Sequence, residues 1–157
     1  MKTRCPRLGA LIFATGFTLS CVTSAITGDE RRNSDPIKVN PAAQEHAKNL
    51  IQQGHVVVDK RNAWSEHQPS AEEQNEFIRQ HGFEEYAKWH LGIDHTHAEN
   101  TKARYKFPYG DFKNVHRSAL LAAKGRARQH SYSDIENAAV QLLEMIHSEK
   151  TQATSPP

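Results

Sequence analysis

The clearest hydrophobic pattern lies near the C-terminus. Ile135, Ala138, Ala139, Leu142, Leu143 and Ile146 recur at steps of three and four and form one continuous apolar face. Ser133-Asp134-Ile135-Glu136 precedes it as a capping box, so a helix is expected to start there. Ala43, Ala47, Leu50 and Ile51 carry the same spacing, with Asn40 as cap, Pro41 in the first turn and Gly54 as the stop, which predicts a helix over 41–53. A second capping box, Ser70-Ala71-Glu72-Glu73, opens a helix over 71–81 that Gly82 ends. A further helical stretch runs from Phe83 to Leu91, with Phe83, Tyr86, Ala87 and Leu91 on one side.

Asp111 is placed to cap a helix over 112–130, with Phe112, Val115, Ala119, Ala123 and Ala127 facing inward. Val56-Val57-Val58 reads as an extended β-branched run without a pairing strand, Tyr105, Phe107 and Tyr109 alternate before a turn at Pro108 and Gly110, and 92–101 reads as a polar loop. The expected fold is all-α, a small bundle of four or five helices.

The first 25 residues read differently. Lys2, Arg4 and Arg7 precede an uncharged stretch from Leu8 to Val22, and Thr23-Ser24-Ala25 follows. A basic start, an apolar stretch and small residues at the exit are the parts of a secretory signal. The apolar stretch falls short of the about 20 residues that a membrane span needs. The expected organisation is a signal peptide at 1–25, a flexible linker at 26–40, a helical domain at 41–149 and an unstructured tail at 150–157. The expected location is periplasmic or secreted, with no membrane span in the mature chain. Cys21 raises the alternative of a lipid anchor, against which Thr18 stands where a leucine is preferred, and a spurious leader would leave the protein cytoplasmic.

Composition narrows the chemistry. The 157 residues include 37% hydrophobic positions, ten histidines and two cysteines. That length excludes a large multi-domain enzyme and a polytopic membrane protein. Cys5 and Cys21 both lie in the leader, so a product cut after Ala25 has no thiol for a disulfide, a nucleophile or a zinc site. No nucleophile elbow, phosphate-binding loop or dinucleotide fingerprint is present. No cofactor is expected, and the reading is non-enzymatic.

Charge is unevenly laid out. Residues 59–100 hold nine acids against four bases, and residues 101–130 hold eight bases against Asp111 alone. Lys113, Arg117, Lys124 and Arg128 fall within about 60° on a helical wheel, a basic stripe suited to a polyanion such as nucleic acid or an acidic lipid. A solvated face balanced by the acidic half explains the same pattern. Arg126 and His116 fall in or beside the apolar arc, where a charge requires a partner. Asp111, Asp94 and Asp134 are the partners expected for Arg126, either as a structural ion pair or as part of an anion pocket.

The densest histidine group is Trp89 to Glu99, WHLGIDHTHAE. His90, Asp94, His95 and His97 offer ligands of the type that zinc, nickel or copper accept, though an exposed loop of ordinary histidines has the same composition.

Several strings in order, YAKWHLGID (86–94), TKARYKFPYGDF (101–112), VHR (115–117) and IENAAVQLLEMI (135–146), with Trp64-Ser65 and PSAEE (69–73), resemble a family of short bacterial proteins described as uncharacterised. The resemblance spans roughly residues 56–148. It implies no activity. It singles out Trp89, His90, Asp94, Tyr105, Phe107, Pro108, Tyr109, Gly110, Asp111, Phe112, His116 and Arg117 without giving them roles. Members of that family are generally shorter and lack a leader.

These observations support an exported binding or accessory module that recognises a protein or small ligand through Trp89, His90, Asp94, Tyr105, Tyr109, Asp111, His116, Arg117 and Arg126. The alternatives are a cytosolic nucleic-acid module using the basic stripe and a His/carboxylate metal protein or hydrolase.

Overall fold

A computed structural model describes residues 36–154. The expected leader and the first part of the expected linker lie outside the described residues. The fold is mixed α/β, which corrects the all-α expectation. Strand β1 (Ile37–Val39) leads into helix α1 (Pro41–Gln52), followed by β2 (Val56–Val57), a short helix α2 (Trp64–His67) and α3 (Ala71–Ala87). Then come β3 (His90–Asp94), a 3-10 turn (Lys102–Arg104), β4 (Tyr105–Pro108), β5 (Val115–His116), α4 (Arg117–Gln129) and α5 (Ser133–Thr154).

Strand β3 is central to an antiparallel sheet of order β1-β3-β4, and β2 pairs in parallel with β5. The register sets Ile37 opposite Asp94 and Val39 opposite Gly92 on one side of β3, and His90 opposite Pro108 on the other.

Three expectations about individual elements are revised. The helical stretch from Phe83 to Leu91 ends at Ala87, because residues 90–94 pair on both edges as β3. The helix expected from Phe112 begins at Arg117. Asp111 does bond the following amides, Lys113 N at 3.0 Å and Asn114 N at 2.6 Å, but it closes a turn, and Phe112 sits at φ 69°, which no right-handed helix admits. The Val56–Val57 run finds its partner in Val115–His116, a pairing across almost sixty residues that no local pattern announces. Ile37–Val39, inside the stretch read as linker, is strand β1, and α5 runs on through Thr154 into the expected tail.

Other elements follow from local chemistry. Asn40 caps α1, its Oδ1 accepting from Ala43 N at 3.4 Å, while its Nδ2 donates to the Ala87 and His90 carbonyls at 2.9 and 3.2 Å. One buried amide thus ties the start of α1 to the α3–β3 turn. Ser70 accepts from Glu73 N at 3.2 Å, and Glu73 accepts from Ser70 N at 2.7 Å, closing the capping box. Gly82, at φ 80° and ψ 173°, breaks α3 where a side chain would be strained. Replacing Ser70 with alanine is expected to cost about 1 kcal/mol of stability in urea unfolding. An unchanged midpoint would mean that the first turn of α3 is frayed.

The core lies between the sheet and a layer formed by α1, α4 and α5. Helix α5 packs against α4, α1, β1 and β3. Ile135, Ala138, Ala139, Leu142 and Ile146 are buried as their spacing predicts, joined by Ala43, Ala47, Ile51, Leu91, Leu120, Ala123 and Ala127. Leu143 is partly buried against that cluster. Among the described residues no helix is long and apolar enough to cross a membrane.

Candidate functional site

The strings around residues 86–90 and 105–112 meet on the side of the sheet where α3 turns into β3. Tyr109 anchors this corner. Its ring is fully buried, and its hydroxyl donates to the Lys88 carbonyl at 2.5 Å, with the Ala43 carbonyl at 3.2 Å and His46 Nδ1 at 2.9 Å. Burial drives its phenol pKa far upward, so the hydroxyl stays a donor. Tyr109 therefore positions the corner from within and presents no surface to a partner.

Trp89 stacks on Tyr109 with ring centroids 5.7 Å apart. Gly110 accepts this arrangement because a Cβ there would meet the Asn114 carbonyl oxygen and lie 2.6 Å from the Trp89 ring. Phe112, held at positive φ, stacks almost parallel on Phe77 at 4.1 Å. A bulky residue in that backbone region costs free energy and persists only where packing fixes it.

These side chains wall a cleft of about 180 Å³, lined by Tyr86, Trp89, His90, Tyr105, Pro108 and Phe112, with Gln68, Gln74 and Lys102 among the polar residues around it. His90 is its polar floor. The residue is 5% exposed, and its Nδ1 lies 2.9 Å from the Tyr86 carbonyl oxygen. A carbonyl oxygen only accepts, so Nδ1 carries the hydrogen and the neutral ring keeps its lone pair on Nε2. Burial lowers the His90 pKa to about 4, against a smaller upward effect of that hydrogen bond. No described residue is shown hydrogen-bonding to Nε2. Tyr86 donates its hydroxyl to Gln74 Oε1 at 2.9 Å, and burial pushes its pKa up to about 12.

A second cluster sits on the other side of the 110–112 turn. The parallel pairing of β2 with β5 carries Asp59 to the N-terminus of α4. Its Oδ1 accepts from Ser118 N at 2.7 Å, and its Oδ2 accepts from Ser118 Oγ at 2.5 Å and from His116 Nδ1 at 3.0 Å. Burial raises the Asp59 pKa, but these hydrogen bonds outweigh it and hold the carboxyl below its ordinary value. His116 is 3% exposed, and its Nε2 lies 3.2 Å from Asp111 Oδ2 but out of line for a hydrogen bond, leaving that nitrogen buried without a partner. The His67 ring stacks on His116 at 5.0 Å. Burial raises the Asp111 carboxyl too, while the Asn114 and Lys113 amides and the neighbouring imidazole bring it below the ordinary value.

The residues singled out in the sequence are therefore divided. Trp89, His90 and Tyr105 share the cleft, with Tyr109 behind it. Asp111, His116 and Arg117 belong to the second cluster, where the Arg117 guanidinium reaches the Asp59 carbonyl at 3.5 Å. Asp94 lies at the opposite end of β3 from His90, accepting from the Thr96 hydroxyl at 2.6 Å and amide at 3.0 Å, with His97 Nδ1 at 3.1 Å. His95 and His97 are exposed. Among the described residues the cluster of three metal-ligand side chains is Asp59, His67 and His116 rather than His90, Asp94, His95 and His97.

Arg126 is exposed on the wall of a separate cleft with Trp64 and Phe107, and none of the expected carboxylates pairs with it among the described residues. Lys113 precedes α4, so only Arg117, Lys124 and Arg128 of the basic stripe lie on that helix.

The sequence pattern does not single out Asp59, His67, Ser118, Gln68 or Gln74. Asp59 shows there only as one acid among nine, and its role arises from the β2–β5 pairing.

No family model matches the chain, no curated protein matches it, and no solved structure matches it.

Proposed function

We propose that the protein is a non-enzymatic binding module whose cleft takes a small planar ligand carrying an N–H or O–H donor. The observation behind this reading is His90, a buried imidazole that lines an aromatic cleft with its Nδ1 committed to the Tyr86 carbonyl, which leaves the Nε2 lone pair as the acceptor for a ligand. Tyr105 and Phe112, both half-buried, supply faces for stacking beside the buried Trp89 and Tyr86, and Lys102 and Gln68 supply polar contacts at the same cleft. The lining pairs no serine, cysteine or carboxylate with His90, so nothing in it activates a nucleophile for acyl transfer. The basic start and uncharged stretch of residues 1–25 support a location for this binding outside the cytoplasm.

Phenol, indole and purine serve as probes in an NMR titration of the full chain. A probe of about nine non-hydrogen atoms at about 0.5 kcal/mol per atom binds with a Kd near 1 mM. Resonances of His90, Trp89 and Tyr105 are expected to shift saturably with at least one probe, and His90→Leu is expected to weaken that binding about tenfold. The reading fails if all three probes leave these resonances unmoved at millimolar concentration.

A further inference from the structure

We propose that Asp59, His67 and His116 bind a divalent transition-metal ion of the zinc class, with Asp111 fixing the far nitrogen of His116. The site is separate from the His90 cleft, and the proposal does not depend on that reading.

The first support is geometric. Asp59, His67 and His116 each place a ligand atom within 4.8 Å of the other two. Metal–ligand bonds of about 2.0–2.2 Å set ligand atoms about 3.5 Å apart around a tetrahedral ion. Asp59 Oδ2 and His116 Nδ1, at 3.0 Å, are already near that spacing. His67 has to close the remaining gap. It is exposed on a four-residue helix and its side chain is shown in no hydrogen bond among the described residues, so the movement gives up only its stack on His116.

The second support is the deficit at His116. The ring has a carboxylate at each nitrogen, Asp59 at 3.0 Å and Asp111 at 3.2 Å, yet Nε2 is buried without a hydrogen bond. Such atoms are uncommon in folded proteins and call for a cause. Ligation at Nδ1 puts the ring proton on Nε2, and a small rotation then directs it to Asp111. A carboxylate on the nitrogen opposite the metal is the usual way that a ligating imidazole is oriented.

The third support is charge. The open cleft that contains His67 and Asp111 is also lined by Glu66, Glu72, Glu73 and Glu76, five carboxylates in all against Lys113. A concave acidic surface concentrates cations. It opposes the positive end of α4, whose first turn Asp59 already neutralises. The donor set of two imidazoles and a carboxylate suits zinc, cobalt or nickel better than calcium or magnesium, which prefer oxygen ligands alone.

The test uses the full, untagged chain, stripped of metal, with Cys5→Ser and Cys21→Ser so that leader thiols do not compete. Cobalt(II) is the probe, because a low-symmetry site gives visible absorption bands that hydrated cobalt lacks. One saturable site per chain is expected, displaced by zinc. His67→Ala, an exposed change that should leave the fold intact, is expected to weaken binding by at least about tenfold, and Asp111→Asn by about the same factor. No saturable cobalt binding at micromolar concentration overturns the proposal. So does binding that His67→Ala leaves unchanged, since it would then belong to other histidines on the surface.

Discussion

Replacing Asp59 with alanine is expected to lower the free energy of unfolding by about 4 kcal/mol, the largest single effect anticipated in this protein. The carboxylate, 6% exposed as a side chain, is the only acceptor shown for three donors: the Ser118 amide, the Ser118 hydroxyl and His116 Nδ1. Its removal leaves all three groups without it in the interior and takes the negative charge from the first turn of α4. His116 provides no cap to α4 itself, so Asp59 acts as a cap supplied from a distant part of the chain. Asp59→Asn keeps the shape and one acceptor oxygen, and is expected to lose about half as much. Urea unfolding of both variants measures the difference. A loss below about 1 kcal/mol for alanine would mean that water replaces the carboxylate and that the cluster does not hold β2, β5 and α4 together.

The second large effect is a loss of stability in mild acid that depends on His90. Its folded pKa is lowered to about 4 by burial, whereas an unfolded histidine titrates near 6.5. Below that unfolded value the open chain binds a proton that the folded chain refuses. The contribution is therefore complete above about pH 6.5 and declines as pH falls towards 4, by about 3 kcal/mol in total. Asp59, Asp94 and Asp111 act in a lower window. Their folded pKa values lie below the ordinary carboxylate value, so their contribution is present above about pH 4 and is lost as pH falls further. Unfolding free energies measured from pH 7 to pH 4.5 separate the two. His90→Leu is expected to flatten the dependence across that interval. An equally steep dependence in the variant would assign it to another histidine.

The legible parts of the fold were those where the signal is local. The Ile135–Ile146 face, the Ser70 capping box, the Asn40 cap and the break at Gly82 each depend on residues within a turn or two of one another. The sheet was not legible, because its evidence is divided. Strand β3 has only five residues, with a glycine at its centre and polar groups at both ends, and its edges are covered by strands about fifteen and fifty residues away. Val56–Val57 shows β-branching and nothing else. Asp111 illustrates a related limit: a side chain that bonds the amides two and three residues ahead caps a helix or closes a turn equally well, and the positive φ of Phe112 decides between them.

The candidate sites divide in the same way. Trp89, His90 and Tyr105 are legible together because their strings lie close in the sequence and are aromatic. Nothing local in the sequence sets Asp59 beside His116, since only the parallel pairing of two short strands brings them together.

The central claim is that His90 offers a hydrogen-bond acceptor to a ligand in the aromatic cleft. Nitrogen-15 correlation of the histidine rings tests it most directly, because the two neutral tautomers have distinct nitrogen shifts. For His90 at pH 7 a protonated Nδ1 and an unprotonated Nε2 are expected, with the Nε2 resonance moving when a donor-bearing probe binds. A proton on Nε2 would contradict the account, since the nitrogen open to the cleft would then be a donor.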